Sequence, residues 1–347
     1  MRRTTQKDIA EKLGVSETVV SYALNDKPDG FGNVSIRPEL RARIKTAAQE
    51  MGYRLNRTAS ALITGRSKTI GIISVRGEHP LLHSRNYQIS REILLRGYSY
   101  IIQQADLSDL KGIQQAVNMF VDYHVEGIVS IGIDLQQYYT EAQSSITSLG
   151  IPIVFEGYSL KPNTEYPCFY SDFYNAGFQM AKEVIREGHK SICFMTARQH
   201  TISVSLRMDA IRDACADMPG VSVNSYLAPL DLLAKGGMES GYISTYELLK
   251  SKKPDVIFYS NDLFAFGGLK ALKEHGLRVP EDIMICGFDG IEMMKFSDPP
   301  ITTAVQQIKA ISAKLVEVLF QMMDGQAPDK MEYQIPCEVV FRESTGH

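Results

Sequence analysis

"TTQKDIAEKLGVSETVVSYALND", residues 4 to 26, holds two short helical patterns on either side of a glycine. Ile9, Ala10 and Leu13 recur at helical spacing. Gly14 takes the turn conformation that other residues resist, and Ser16 offers its hydroxyl as the N-cap of a second helix with Val20 and Leu24 on the buried side. The pattern is a helix-turn-helix. Ala10 and Gly14, four residues apart, let the two helices cross closely, which leaves Glu17, Thr18, Ser21 and Tyr22 on the outer face, within reach of base edges.

After the Gly/Pro-containing loop "NDKPDGFGNVS" comes "IRPELRARIKTAAQEMGY". There Ile44, Ala47, Ala48 and Met51 form one apolar stripe and Arg and Lys crowd the other faces, so a third helix completes a small core. Next stands "NRTASALITGR", residues 56 to 66. Asn56 is a good N-cap and Gly65 a good stop, yet two turns lie between them, and helices shorter than ~12 residues need a partner surface to persist.

Charge follows the same division. Residues 1 to 68 hold 13 Lys and Arg against 7 Asp and Glu, a net of +6, while the remainder holds 24 against 33, a net of −9. A basic head on an acidic body is what a small nucleic-acid-binding domain on a larger domain shows. No run of ~18 apolar residues offers a membrane span, and the start "MRRTTQKDIAEKLG" has no apolar h-region, so a cytoplasmic chain without membrane contact is expected. The five cysteines (168, 193, 215, 286 and 337) form no C-x-x-C or Cys/His cluster, so neither a disulfide framework nor a metal site is expected.

From Thr69 onward the apolar runs "TIGIISV", "SYIIQQA", "GIVSIG", "IPIVFE", "KSICFMT", "DVIFYSND" and "DIMICGFD" alternate with helical segments such as "NAGFQMAKEVIREGH" and "FAFGGLKALKEHG". That alternation specifies an α/β fold with parallel sheets, and a break near "KPNTEYPCFYSD" divides it into two similar halves. Ligands of open α/β sheets bind beyond the carboxyl ends of strands, so two facing lobes make a cleft lined by strand-end residues. There is no G-x-x-x-x-G-K-[ST], G-x-G-x-x-G after a strand, H-E-x-x-H or G-x-S-x-G. An enzyme is not expected, nor a cofactor.

"DIAEKLGVSETVVSYALND" and "RARIKTAAQEMGYRLNRTASALITGRSKTIGII" resemble the start of the lactose-repressor (LacI/GalR) family of bacterial transcription regulators, and the resemblance continues over essentially the whole chain. It implies a helix-turn-helix headpiece (residues 1–55), a hinge helix and linker (56–68) and a two-lobed effector-binding and dimerisation domain (69–347) similar to periplasmic sugar-binding proteins of type I. Lobe one is expected to comprise about 69–166 plus 298–327, and lobe two about 167–297 plus 328–347. The DNA-facing positions it implies are Thr5, Ser16, Glu17, Thr18, Ser21, Tyr22, Asn25, Asn56, Ala59 and Leu62. Leu62 would be the apolar wedge that kinks the centre of the site from the minor groove, in a hinge helix that orders only when two subunits sit on a double-stranded operator.

Two departures bear on specificity. Family members commonly read "TVSR" where this chain has "VVSY", so Val19 replaces a phosphate-touching hydroxyl and Tyr22 a guanine-reading arginine. The loop from Lys27 to Val34 is also longer than usual.

In the body the family's effector-binding positions resemble Arg207, Asn261 and Asp289, with Asp262 beside them and His79 at the mouth after the first strand. Carboxylate and amide oxygens accept from sugar hydroxyls and a guanidinium donates a fork of hydrogen bonds, so the expected effector is a sugar or sugar derivative. Asp262 also reads as the N-cap of the next helix, and Arg207 with Asp289 as a structural ion pair. Where the family often has an Asp-Arg pair after "PIVF", this chain has Glu156, Gly157 and Tyr158. Ile308, Ile311, Leu315, Val318 and Leu319 make a helical core stripe in a region the family uses for dimerisation, and no heptads follow it. The reading is a transcriptional repressor that binds a palindromic operator as a homodimer under control of a small effector. The alternative is a solute-binding protein or ligand sensor without operator binding, which the body alone would permit.

Overall fold

The computed structural model describes residues 4–24, 36–53, 65–105, 110–132, 150–157, 166–186, 188–197, 201–229 and 237–347. It divides into two compact units, residues 1–68 and 69–347.

Among its described residues the first unit has three helices: α1 (Gln6–Leu13), α2 (Glu17–Leu24) and α3 (Pro38–Glu50). Thr5 starts α1 through a capping box, accepting from the Asp8 N–H at 3.3 Å while the Asp8 carboxylate accepts from the Thr5 N–H at 2.7 Å. Gly14 ends α1 at φ 67°, in the left-handed region where a side chain would be strained. Ser16 caps α2, its Oγ accepting from the Val19 N–H at 3.3 Å. Ile9, Ala10, Val20, Ala23, Ile44, Ala47 and Ala48 are buried together. Leu24, expected on the buried side, is half-buried at the rim, because Ala23, three residues after Val20, faces the core instead.

The described residues of the second unit form two six-stranded sheets. The first comprises β1 (Thr69–Val75), β2 (Ser99–Ala105), β3 (Gly127–Ile131), β4 (Ile153–Glu156), β5 (Cys168–Asp172) and β11 (Glu332–Pro336) in the order β11-β5-β4-β3-β1-β2, all parallel. The second comprises β6 (Ser191–Thr196), β7 (Ser222–Leu227), β8 (Val256–Tyr259), β9 (Met284–Asp289), β10 (Thr302–Val305) and β12 (Glu338–Val340) in the order β12-β10-β9-β8-β6-β7, parallel but for β12. Each β1, β3, β8 and β9 residue run is apolar because helices cover both faces of these central strands.

The α-helices among the described residues of this unit are α4 (Pro80–Leu95), α5 (Leu110–Asp122), α6 (Phe173–Arg186), α7 (Ile202–Cys215), α8 (Gly237–Leu249), α9 (Asp262–Glu274) and α10 (Ile308–Met323). The stripe Ile308, Ile311, Leu315, Val318 and Leu319 is buried, all but Ile308 within the first lobe.

The lobe boundaries differ from those expected. Cys168–Asp172 is not a break but a strand of the first sheet, held between β4 and β11, with Phe169 stacked on Tyr333 at 4.3 Å between ring centroids. The chain therefore crosses after Asp172 rather than at 166, between β10 and α10 rather than at 298, and at Cys337 rather than at 327. Ser171 and Asp172 within "CFYSD" hide the strand, because Ser171 donates to Gln306, 135 residues away, and Asp172 accepts from the first turn of the helix that follows.

Lobe two has a polar clamp in its core. Asp262, fully buried, is the first residue of α9 rather than its cap, since Asn261 takes that place by accepting from the Phe264 N–H at 2.9 Å. The Asp262 carboxylate accepts from the Ile291 N–H at 2.8 Å and from the Thr303 hydroxyl at 2.6 Å, tying α9 to the loop beyond β9 and to β10 itself. Burial first, and the nearby Asp289 second, push its pKa up to about 8.

Two outcomes are expected. A Cβ on Gly267 would lie 1.8 Å from the Met238 carbonyl oxygen, and one on Gly241 2.1 Å from that of Phe264, so α8 and α9 touch backbone to backbone. Gly267→Ala should lower unfolding stability by more than ~2 kcal/mol in urea titration, and a loss below ~0.5 kcal/mol would contradict that contact. The second outcome follows from Asp262, whose folded pKa lies above that of the unfolded chain. Its contribution is therefore fully present below the unfolded carboxylate range and lost as pH climbs toward about 8. Unfolding free energy measured from pH 5 to 9 should fall by up to ~1.4 kcal/mol per unit more in the native chain than in Asp262→Asn, levelling off above pH ~8. Equal slopes would remove Asp262 from the account.

Candidate functional site

On the headpiece, Glu17 and Thr18 stand exposed at the start of α2, while Ser21 and Tyr22 one turn later are half-buried. The Tyr22 ring packs against the headpiece core, so its position is fixed by the fold as much as by any partner. Thr5 and Ser16 spend their hydroxyls as caps of α1 and α2. Asn25, Asn56, Ala59 and Leu62 lie outside the described residues.

In the second unit the carboxyl ends of β1, β4, β5, β8 and β9 converge with the crossover after β10. Asp289 ends β9 and is buried, with φ 123°, a backbone conformation that side-chain-bearing residues rarely hold. Gly290 follows at φ 75°, and a Cβ there would lie 2.6 Å from the Val305 Cα. The turn thus aims the carboxylate across the gap between the lobes. Its Oδ1 accepts from Arg207 Nη2 at 3.2 Å and from Gln306 Nε2 at 2.8 Å, and its Oδ2 lies 3.4 Å from His79 Nε2.

Arg207, on the second turn of α7, is buried against Phe173 at 3.7 Å and Phe288 at 5.0 Å from the ring centroids, and donates from Nη1 to the Ser260 carbonyl. His79 belongs to lobe one, where its Nδ1 accepts from the Leu81 N–H at 3.3 Å as the N-cap of α4. That bond leaves the proton on Nε2, facing Asp289. Burial lowers the His79 pKa, against the pull of Asp289 and with help from Arg85 and Arg207, so the imidazole is neutral near pH 7.

Three of the four expected effector positions therefore meet: His79, Arg207 and Asp289. The fourth, Asn261, commits its carbonyl oxygen to capping α9, so an effector would meet its amide end. Asp262 faces the core, away from this cluster's ligand side.

Four further residues belong to the cluster. Gln306 joins the lobes, its Oε1 accepting from Arg85 Nη2 at 2.8 Å and from the Ser171 hydroxyl at 3.0 Å. Arg85 Nε lies 3.2 Å from Glu156 Oε1, and burial raises the Glu156 pKa against the opposing charge of Arg85. Gln306, Ser171 and Glu156 follow or end strands and so were open to a strand-end reading. Arg85 sits mid-helix with no local sign of its role.

Profile comparison matches residues 5–56 to bacterial regulatory proteins of the lacI family and residues 181–345 to a periplasmic binding protein-like domain. The HTH-type transcriptional repressor PurR of Pasteurella multocida is 26% identical, with 98% of each chain covered. Among solved structures, the lac repressor dimer bound to operator and the anti-inducer ONPF superposes with a TM-score of 0.84 at 22% identity, covering 99% of both chains. The transcriptional regulator CelR in complex with cellobiose superposes with a TM-score of 0.69 at 20% identity, covering 99% of this chain and 100% of that one. Such relatives regulate transcription and are not enzymes. A lacI-type headpiece ahead of a periplasmic-binding-protein-like domain, in a chain that aligns end to end with a repressor of the same build, belongs to the LacI family of transcriptional regulators.

Proposed function

We propose that this regulator binds a palindromic operator as a homodimer, represses transcription there, and is controlled by a small polar molecule in the cleft between its lobes. The observation that carries the reading is the convergence of His79 from lobe one with Arg207 and Asp289 from lobe two. These side chains meet only when the lobes face each other, so a molecule held by them sets the lobe angle. The acceptors and donors present suit a polyhydroxylated compound, in keeping with the cellobiose held by CelR. No helix among the described residues is long and apolar enough to cross a membrane.

For DNA, α2 presents Glu17 and Thr18 with Ser21 and Tyr22 behind them. Glu17 suits a cytosine amino group, and Tyr22 a hydrogen bond or thymine-methyl contact. For dimerisation, Tyr87, Leu94 and Leu95 of α4 and Tyr100 of the edge strand β2 are exposed large apolar side chains on lobe one, a combination that isolated soluble surfaces rarely keep. The expected hinge, residues 56–68, of which 56–64 lie outside the described residues, would couple the two events by responding to small changes in subunit spacing.

Selection of bound sequences from random duplexes by the full chain, at a stated salt concentration, should enrich a palindrome that the chain starting at Thr69 does not. Enrichment by neither would leave a ligand sensor without operator binding. Leu62→Ala should keep effector affinity and lose specific operator affinity, and unchanged operator affinity would sink the hinge-wedge role. Tyr87→Glu combined with Leu94→Glu should yield monomers in sedimentation and weaken operator binding at least ~100-fold. A variant that stays dimeric would move the interface elsewhere.

A further inference from the structure

The cleft holds buried hydrogen-bond donors that its own acceptors leave unsatisfied. Asp289 Oδ1 already takes two donors, its Oδ2 faces His79, and Gln306 Oε1 takes two more. Against these stand two guanidinium groups with five N–H donors each. Arg207 gives one bond to Ser260 and one to Asp289, and its Nε is buried with no partner. Arg85 gives one bond to Gln306, and its Nε, though near Glu156, is not aligned for a hydrogen bond and is also buried without one. A buried donor left unsatisfied is costly, so a molecule entering here gains by bringing acceptors.

The charges point the same way. Only one amide and one carboxylate oxygen separate the Nη2 atoms of the two guanidinium groups: Arg85 to Gln306 at 2.8 Å, Gln306 to Asp289 at 2.8 Å, Asp289 to Arg207 at 3.2 Å. Of the opposing carboxylates, Asp289 is spent on three partners, and burial raises the Glu156 pKa against the opposing charge of Arg85. Glu156 Oε2 has no hydrogen-bond partner. A planar guanidinium fork matches a carboxylate or phosphate in shape as well as in charge.

The geometry points to an acidic effector: a small carboxylated or phosphorylated molecule whose oxyanion is gripped by Arg85 from lobe one and Arg207 from lobe two. This rests on the cleft being the effector site and adds the chemical class and a residue, Arg85, that sets it. Because the two guanidinium groups come from different lobes, the anion also supplies the closing force: it offsets their mutual repulsion only when both are near.

The test is thermal unfolding of the full-length chain against inorganic phosphate, acetate, D-ribose and cellobiose, with ionic strength held constant by NaCl. Phosphate or acetate should raise the midpoint saturably, and which of them does so separates a phosphorylated from a carboxylated effector. Arg85→Gln should need at least tenfold more anion for the same rise, and Arg85→Lys, which keeps the charge without the fork, should fall between. Three results would overturn the proposal: no saturable rise with either anion, an equal response in Arg85→Gln, or saturable stabilisation by a neutral sugar that Arg85→Gln leaves unchanged. Retardation of the selected operator by the same wild-type preparation keeps the two readings apart. Anion binding absent while operator binding persists defeats this inference alone, whereas operator binding absent under every condition defeats the regulator reading.

Discussion

The second unit depends on the carboxylate of Asp289. Its three partners come from both lobes and from the crossover between them, so one pair of oxygens fixes His79, Gln306 and Arg207 at once. The arrangement is costly to build. The residue sits at φ 123°, the guanidinium it meets is buried, and taking two charges out of water is repaid only when each is fully hydrogen-bonded. Stacking of Arg207 on Phe173 and Phe288 offsets part of that cost by giving the guanidinium a face to pack against. A hydrophobic cluster in the same place would be more stable, but it would answer to no ligand.

How the sequence encodes this is uneven. Strands β1, β3, β8 and β9 were legible because they are buried on both faces and read as continuous apolar runs. Edge strand β7, "SVNSYL", has only exposed and half-buried residues, and β12 lies at the other edge of the same sheet, so neither carries that signal. β5 was hidden for a different reason, since its Ser171 and Asp172 look like loop residues until Gln306 and Asn175 are known to pair with them. The headpiece was legible almost whole. Its caps, its αL glycine and its stripe are all local, and local chemistry is what a linear sequence displays.

The site divides along the same line. His79, Arg207 and Asp289 stand beside strand or helix ends, where position alone marks them. Asn261 and Asp262 are adjacent and chemically similar, and which of them caps α9 is decided by the burial of Asp262 under Ile291 and Thr303, partners 29 and 41 residues away. Arg85 has no local mark at all. It matters because α4 leans its Arg85 turn against Gln306, more than two hundred residues later in the chain, and such contacts become visible only once the lobes are assembled.

Helix α4 is where these threads meet. Its first turn places Leu81 in the core of lobe two, while Leu82, the next residue, is buried in the core of lobe one. The helix is thus seated in two cores at one end, bonded through His79 and Arg85 to the polar cluster, and exposed along Tyr87, Leu94 and Leu95 on its outer face. Close-packed cores tolerate discrete rearrangements better than continuous ones. A change in lobe angle must therefore either withdraw Leu81 from lobe two or carry α4 with it, and in the second case the outer face of the helix moves relative to lobe one. If that face meets a second subunit, a shift made at Asp289 reaches the subunit contact through a single rigid element of sixteen residues, with no need for a longer chain of couplings.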